Sequence, residues 1–253
     1  MLQDPPGEAR HRLVMLHGFG QTGRCFGELA DRLALDHDVS TPDLPGHGAR
    51  GDLSGLDCPA IADLLALEQG AGTWIGYSLG GRVALHVALR HPGSVRALVL
   101  IGATAGIEDD GARAERASLD EARARRLEQL GVRAFMAEWL EMDMFDGLGP
   151  AQRFETERAR NTVEGLAGSL RNAGTGAMEP LWSRLHELGM PTLVLSGARD
   201  RAFGALGERL VSSIGTNASA RRIAEAGHAA HLEDPAATHE AIEDFLRAAP
   251  GRR

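Results

Sequence analysis

The sequence predicts an α/β fold, in which a mostly parallel, doubly wound sheet carries an inserted helical cap. Three observations lead to this prediction. Short, continuous apolar runs recur and end in glycine, as at residues 97–102 and 192–197, and such runs are typical of parallel strands buried on both faces. Segments with apolar residues at helical spacing separate these runs, as a parallel sheet requires. Residues 105–188 interrupt this alternation without a convincing strand.

The expected strands alternate with expected helices in chain order. The first apolar run leads into a His-Gly pair, the second into a stretch rich in proline and glycine, and the third into a Gly-Tyr-Ser turn; the last is the weakest. We expect strands at residues 13–16, 37–41, 73–76, 97–102, 192–197 and 220–226, and helices at 24–34, 59–68, 79–90, 205–214 and 235–248. Asp234-Pro235 favours the start of the last helix, because the fixed φ of proline suits a first helical turn.

Residues 105–188, which interrupt the alternation of strands and helices, predict the domain organisation. This interval opens with a charge-rich stretch, residues 108–126, and contains Trp139 and Trp182, two of the three tryptophans in the chain. We expect 105–188 to form a helical cap over the carboxyl ends of the strands, where open α/β sheets bind ligands. Residues 1–104 and 189–253 would then form the core. The alternative is a helical insertion that only packs, with its charges on a solvated face.

Composition excludes several classes of function. A chain of 253 residues with 43% hydrophobic residues can bury a sizeable core. A formal charge of −8 argues against general binding to nucleic acid or anionic membranes. No apolar run approaches the length of a membrane span, and the N-terminal residues lack the pattern of a signal peptide. We interpret Cys25 and Cys58 as free thiols of a cytoplasmic protein.

A Gly-x-Ser-x-Gly turn carries the strongest indication of chemistry. Gly76-Tyr77-Ser78-Leu79-Gly80 lies between an expected strand and an expected helix, which is the context of a nucleophile elbow. Such a turn projects its serine above the sheet, at a helix N-terminus that favours developing negative charge. The alternative is a plain glycine-rich connection between a strand and a helix.

The partners that a serine needs follow in order along the chain. A hydroxyl group is a poor nucleophile and a poor base unless a histidine takes its proton and an acid orients that histidine. Asp200 follows the strand expected at 192–197, and His228 follows the last expected strand. This order of Ser, Asp and His matches an elbow-type triad. We therefore predict Ser78, Asp200 and His228 as catalytic residues.

Developing negative charge on an oxygen needs two amide donors aimed at one point. The N–H of Leu79, directly after the serine, would be one donor. The N–H of Phe19, in His17-Gly18-Phe19-Gly20 after the first strand, would be the other. The alternative for this second loop is a simple glycine turn. We predict that Phe19 and Leu79 form an oxyanion hole.

Taken together, these motifs resemble the α/β-hydrolase fold over the whole chain. More narrowly, the sequence resembles the family of 2-succinyl-6-hydroxy-2,4-cyclohexadiene-1-carboxylate synthases of menaquinone biosynthesis. The elbow and the final histidine belong to the whole fold, whereas the arginine after Gly80-Gly81 and the pattern of the cap are narrower signals. The stretches that carry the resemblance are residues 76–82, 113–116, Trp139 with Phe145, 160–161, 170–176 and 226–235.

The resemblance implies a substrate, a site and a reaction. The family eliminates pyruvate from a polycarboxylate precursor; in it the triad abstracts a proton, and no cofactor is needed. The implied partner is therefore a small anionic molecule. The implied substrate-binding residues are Arg82, Arg116, Arg160, Tyr77, Trp139 and Phe145. Arginine suits this role because it is permanently charged and can bind a carboxylate through two hydrogen bonds.

Two other functions remain open from the sequence. Ser78 could act as a true nucleophile in a hydrolase of carboxylic esters or carbon–carbon bonds, and a fold of this kind could also bind a ligand without catalysis. The family usually carries a lysine two residues after the triad aspartate, where this chain has Ala202. The sequence leaves the oligomeric state open.

Overall fold

Six parallel strands form one sheet in the computed structural model, which describes residues 10–248. The strands are β1 (Arg12–Leu16), β2 (Asp38–Ser40), β3 (Gly72–Tyr77), β4 (Val95–Ile101), β5 (Thr192–Gly197) and β6 (Ala218–Ile223). Their order across the sheet is β2-β1-β3-β4-β5-β6. The chain winds first toward one edge and then toward the other, so the predicted fold class is confirmed.

Helices alternate with these strands. They are α1 (Gly27–Leu33), α2 (Cys58–Gln69), α3 (Leu79–Arg90), α4 (Asp110–Leu140), α5 (Glu155–Arg158), α6 (Val163–Ala173), α7 (Arg201–Ile214), α8 (Ala230–Glu233) and α9 (Pro235–Ala248). Helix α7 begins four residues earlier than the sequence predicts, because the Asp200 side chain accepts a hydrogen bond of 3.1 Å from the Phe203 N–H and caps the helix. Strand β6 ends earlier than predicted, and the following turn has Glu225 at φ 55°.

Both faces of the sheet are covered, which explains the continuous apolar runs. In β1 the side chains of Val14 and Leu16 join one buried cluster, with residues of α2 and α3. Leu13 and Met15 point to the opposite face and join a second cluster, with residues of α1 and α9. Each buried side chain of this size stabilises the fold by roughly 1.5–3 kcal/mol. The well-packed centre of the sheet therefore holds the loops at its carboxyl end in place.

Residues 105–188, all of which the structure describes, form helices and loops without a strand. This inserted segment lies between β4 and β5 in the chain. Its longest helix, α4, breaks at Gly131, which has φ 75°, and α4 packs on α6 through a third apolar cluster that includes Leu127, Phe135 and Leu166. Phe19, from the loop after β1, packs against this third cluster and against the sheet's first cluster. The segment thus contacts the core at the carboxyl end of β1.

No helix within residues 10–248 combines the length and the apolar character needed to cross a bilayer.

Candidate active site

Ser78 occupies a strained turn between the end of β3 and the start of α3. Its backbone has φ 51° and ψ −106°, a conformation that non-glycine residues rarely adopt. The Ser78 N–H donates a hydrogen bond of 2.9 Å to the carbonyl of Ile101, at the end of β4. The turn also needs Gly80, because a Cβ there would collide with the Leu16 carbonyl of β1. The surrounding strands therefore hold the serine in place.

Ser78, His228 and Asp200 form a hydrogen-bonded chain. The Ser78 Oγ lies 3.4 Å from Nε2 of His228, and Nδ1 of His228 lies 2.8 Å from Oδ2 of Asp200. Burial alone would raise the pKa of Asp200, but hydrogen bonds from His228 and from the Phe203 N–H outweigh burial and hold that pKa below its ordinary value. An ionised Asp200 fixes the proton of His228 on Nδ1, which leaves Nε2 free to accept the serine proton.

The loop after β1 is tied to the elbow by several hydrogen bonds. The Gly80 N–H donates to the His17 carbonyl at 3.1 Å, and the Gly18 N–H donates to Oε1 of Gln21 at 2.9 Å. These contacts place Phe19 beside Leu79 and Ser78 in the wall of one cavity. Within residues 10–248, the N–H groups of Phe19 and Leu79 have no protein acceptor. Both amides are therefore available to an anionic oxygen.

A cavity of about 230 Å³ opens above the serine. The core contributes Ser78, His228, Phe19, Leu79, Arg82 and Phe203 to its wall, and the inserted segment contributes Arg116, Asp120, Arg123, Trp139, Ser169 and Thr175. The site is thus built jointly by the sheet and the insertion. The Phe203 ring packs on the His228 ring with 4.3 Å between centroids, which shields the imidazole on that side.

Three arginines border this cavity. Arg82 is 7% exposed, and its Nη1 donates a hydrogen bond of 2.7 Å to the carbonyl of Ala173. Burial lowers the pKa of Arg82, yet an arginine side chain stays charged in proteins. Arg116 and Arg123 both lie on α4 and share the carboxylate of Asp120. With one carboxylate against three guanidinium groups, the cavity is positive in a protein whose overall charge is negative.

Aromatic side chains form the remaining apolar wall. Trp139 borders the cavity, with its ring 5.0 Å from that of Phe19 and 5.2 Å from the Arg123 guanidinium carbon. Tyr77 and Phe145, which the family resemblance placed among the substrate-binding residues, instead lie outside the cavity wall, with ring centroids 5.4 and 6.5 Å from that of His228. Both are almost fully buried, so they support the histidine from behind.

Arg160 does not reach the cavity, contrary to the expectation from the sequence. Its side chain is 48% exposed and lies 3.7 Å from Glu157. Its neighbour Arg158 turns inward instead, is 1% exposed, and donates from Nε to the Arg153 carbonyl at 2.7 Å. The two arginines flank the end of the four-residue helix α5, so one faces the interior and the other faces solvent.

Sequence reasoning missed Asp120 and Arg123. Their signal is the spacing of Arg116, Asp120 and Arg123, since residues four and three apart share one face of a helix. The charge-rich stretch at residues 108–126 obscured this face, because most of the charged side chains in the stretch are solvated. No group of three or more His, Cys, Asp or Glu side chains within residues 10–248 is placed to hold a metal ion.

Comparisons with known proteins agree with this architecture. A profile of the alpha/beta hydrolase family matches residues 13–241. The chain is 32% identical over 247 residues to 2-succinyl-6-hydroxy-2,4-cyclohexadiene-1-carboxylate synthase of Klebsiella pneumoniae, covering 92% of this chain and 93% of that protein. It is also 32% identical over 250 residues to the pimeloyl-[acyl-carrier protein] methyl ester esterase of Xanthomonas campestris, covering 94% of this chain and 96% of the esterase.

Among solved structures, MenH from S. aureus superposes with a TM-score of 0.86 at 30% identity, covering 95% of this chain and 94% of that one. The family profile spans nearly the whole chain. The chain therefore belongs to the alpha/beta hydrolase family.

Proposed function

We propose that this protein is a 2-succinyl-6-hydroxy-2,4-cyclohexadiene-1-carboxylate synthase, which eliminates pyruvate from a polycarboxylate precursor. The observation that carries the proposal is the grouping of Arg82, Arg116 and Arg123 around the cavity that also holds Ser78 and His228. A neutral ester has no need of three buried or half-buried guanidinium groups. A substrate with several carboxylates does, because each charged hydrogen bond contributes about 1.5–3 kcal/mol.

In this proposal Ser78 acts as a base. The Ser78 hydroxyl gives its proton to Nε2 of His228, and the ionised Asp200 stabilises the imidazolium. The serine oxygen then takes a proton from the carbon next to a carboxyl or carbonyl group of the precursor. The charge that develops on that group meets the N–H donors of Phe19 and Leu79.

The elimination is then completed without any added reagent. The electron pair of the broken C–H bond forms a new ring double bond, the ring double bond already present shifts by one position, and its electrons break the C–O bond to the enolpyruvyl group. Pyruvate leaves as its enolate, takes up the proton held by the histidine, and becomes the keto acid. Serine, histidine and aspartate return to their starting states, and the triad chain needs no cofactor and no covalent intermediate.

We further propose that residues 105–188 act as a cap on a core formed by 1–104 and 189–253. Support comes from the cavity wall, to which Arg116, Asp120, Arg123 and Trp139 are contributed by this segment. A lid of this kind keeps water from the reacting carbon and lets the fixed charges act more strongly. We place the enzyme in the cytoplasm, which fits two buried cysteines that are both free.

A serine hydrolase is the second candidate. The esterase of Xanthomonas campestris is as similar to this chain as the synthase of Klebsiella pneumoniae, and the geometry of Ser78 and His228 also suits nucleophilic attack. Ala202, in the place where the synthase family usually has lysine, is exposed in the first turn of α7. This departure favours the hydrolase more than any other residue near the site.

One experiment separates the two candidates. The purified protein is incubated with the menaquinone precursor, and pyruvate is measured through lactate dehydrogenase; in parallel, it is mixed with an activated carboxylic ester. The proposal requires steady pyruvate release. An acyl-enzyme on Ser78 with a burst of alcohol, and no pyruvate, would assign the protein to the hydrolases instead.

A further inference from the structure

Asp120 carries an unsatisfied oxygen in the wall of the cavity. The residue is 2% exposed. Its Oδ1 accepts hydrogen bonds from Nε of Arg116 at 2.9 Å and from Nη1 of Arg123 at 3.4 Å. Its Oδ2 has no partner within residues 10–248. A buried carboxylate oxygen without a donor is costly, so this atom is suited to accept a hydrogen bond from a ligand.

Two residues of the cavity wall, Gly174 and Ser169, stand out near that oxygen. A Cβ at position 174 would lie 2.6 Å from Oδ2 of Asp120, and it would also collide with the Leu170 carbonyl. Gly174 borders the cavity, as does Ser169, whose buried hydroxyl also lacks a partner within the described part of the chain. Oδ2 therefore lies beside a position where only glycine fits, and it belongs to the same cavity wall as a second unsatisfied polar group.

The charges around Asp120 determine what can bind there. Arg116 and Arg123 flank it on α4, and Arg82 approaches from α3 across the same cavity. A ligand carboxylate is attracted by the guanidinium groups but repelled by Oδ2. A hydroxyl group has the opposite property, because it can donate to Oδ2. The arrangement matches a ligand that presents a carboxylate and a hydroxyl on adjacent carbons.

We propose that Asp120 is a specificity-determining residue, whose Oδ2 accepts a hydrogen bond from the substrate hydroxyl while Arg116 and Arg123 hold the carboxylate on the next carbon. This inference rests on the proposed function. The product named there carries a 6-hydroxyl beside its 1-carboxylate, and the loss of pyruvate leaves both groups in place. Asp120 would thus recognise the hydroxyl group on a part of the ring that the loss of pyruvate leaves unchanged.

Calorimetric binding of the product and of its 6-deoxy counterpart tests this role without requiring turnover. We expect the wild-type protein to bind the deoxy compound roughly tenfold to hundredfold more weakly, as for the loss of a hydrogen bond to a charged group. In Asp120→Ala the two compounds should bind equally, whatever the change in absolute affinity. The control is Glu121→Gln, one residue further along α4, whose carboxylate pairs with surface arginines outside the cavity; its preference should equal that of wild type.

The outcomes of this experiment separate the two proposals. Pyruvate release together with equal wild-type affinities for the two compounds would overturn the role of Asp120 and leave the synthase intact. No pyruvate release and no binding of either compound would overturn both. If Asp120→Ala does not fold, the wild-type comparison still decides, and the ratio in Asp120→Asn, which keeps the shape but loses the charge, should fall below that of wild type.

Discussion

Nη1 of Arg82 donates a hydrogen bond of 2.7 Å to the carbonyl oxygen of Ala173. Arg82 lies on the first turn of α3, where its N–H bonds to the Ser78 carbonyl at 3.1 Å. Ala173 is the last residue of α6 in the inserted segment. The bond therefore fixes a guanidinium group relative to both the elbow and the insertion. The same side chain serves the cavity and the contact between core and insertion.

Replacing Arg82 with glutamine should lower kcat/KM for pyruvate release by roughly tenfold to a hundredfold, because one charged hydrogen bond to a substrate carboxylate is lost. Steady-state kinetics measure the effect. Arg90→Gln is the control: Arg90 ends the same helix, but it pairs with Asp63 at the surface, so its kinetics should stay at the wild-type level. Equal kinetics for the two variants would refute a substrate role for Arg82.

Removing either end of the serine–histidine pair should abolish turnover while the protein stays folded. We expect Ser78→Ala and His228→Ala each to reduce kcat by several orders of magnitude, since members of a cooperating triad act as a unit. Circular dichroism checks the fold, and the lactate dehydrogenase assay measures kcat. A folded Ser78→Ala protein with kcat within tenfold of wild type would contradict the proton-abstraction mechanism.

Much of the fold could be predicted because its signals are local. The continuous apolar run of β1 is a direct consequence of burial on both faces, and the Gly-x-Ser-x-Gly turn requires small residues at fixed positions. The serine–histidine–aspartate chain followed from the order of motifs along strands of known direction. Each of these inferences depends on neighbours in sequence or on the topology of a parallel sheet.

The orientation of each arginine side chain was harder to predict, because nothing in the local sequence distinguishes a buried arginine from an exposed one. Arg158 and Arg160 stand two positions apart in one short charged stretch, yet Arg158 is buried and Arg160 is exposed. Their directions depend on how α5 docks against the core, which is a tertiary property. Asp120 was hidden for the same reason, since a carboxylate on a charged helix is more often solvated than buried.

The contrast between these arginines gives a kinetic prediction. Arg116→Gln and Arg123→Gln should each lower kcat/KM roughly tenfold or more, because both side chains border the cavity. Arg160→Gln should change kcat/KM by less than about twofold, because its exposed ion pair with Glu157 contributes little. Pyruvate assays on the three single variants decide the matter. A large loss of kcat/KM in Arg160→Gln alone would support the substrate-binding role that the family resemblance implies for Arg160. It would also require the segment after α5 to move during binding.

A buried histidine behind the site sets a pH dependence of stability. His231 is 1% exposed, and neither ring nitrogen has a partner within residues 10–248. Its ring packs 4.2 Å from that of Tyr77 and 5.5 Å from that of Phe26. Burial, with smaller contributions from the neighbouring His228 and Arg158 side chains, lowers the pKa of His231 from 6.5 to about 3. The ring therefore stays neutral in the folded protein at any pH near neutrality.

Because the pKa of His231 is lower in the folded state, the unfolded state binds more protons between pH 6.5 and about 3. The contribution of His231 to stability is thus complete above pH 6.5 and is lost as the pH falls through this window, at about 1.4 kcal/mol per pH unit. Urea unfolding at pH 7 and pH 5 measures this loss. In His231→Leu, the decrease in the free energy of unfolding between the two values should be smaller than in wild type by about 2 kcal/mol. The control, His186→Gln, removes an exposed histidine and should keep the wild-type decrease; a decrease in His231→Leu equal to that of wild type would show that this ring is protonated in the folded protein.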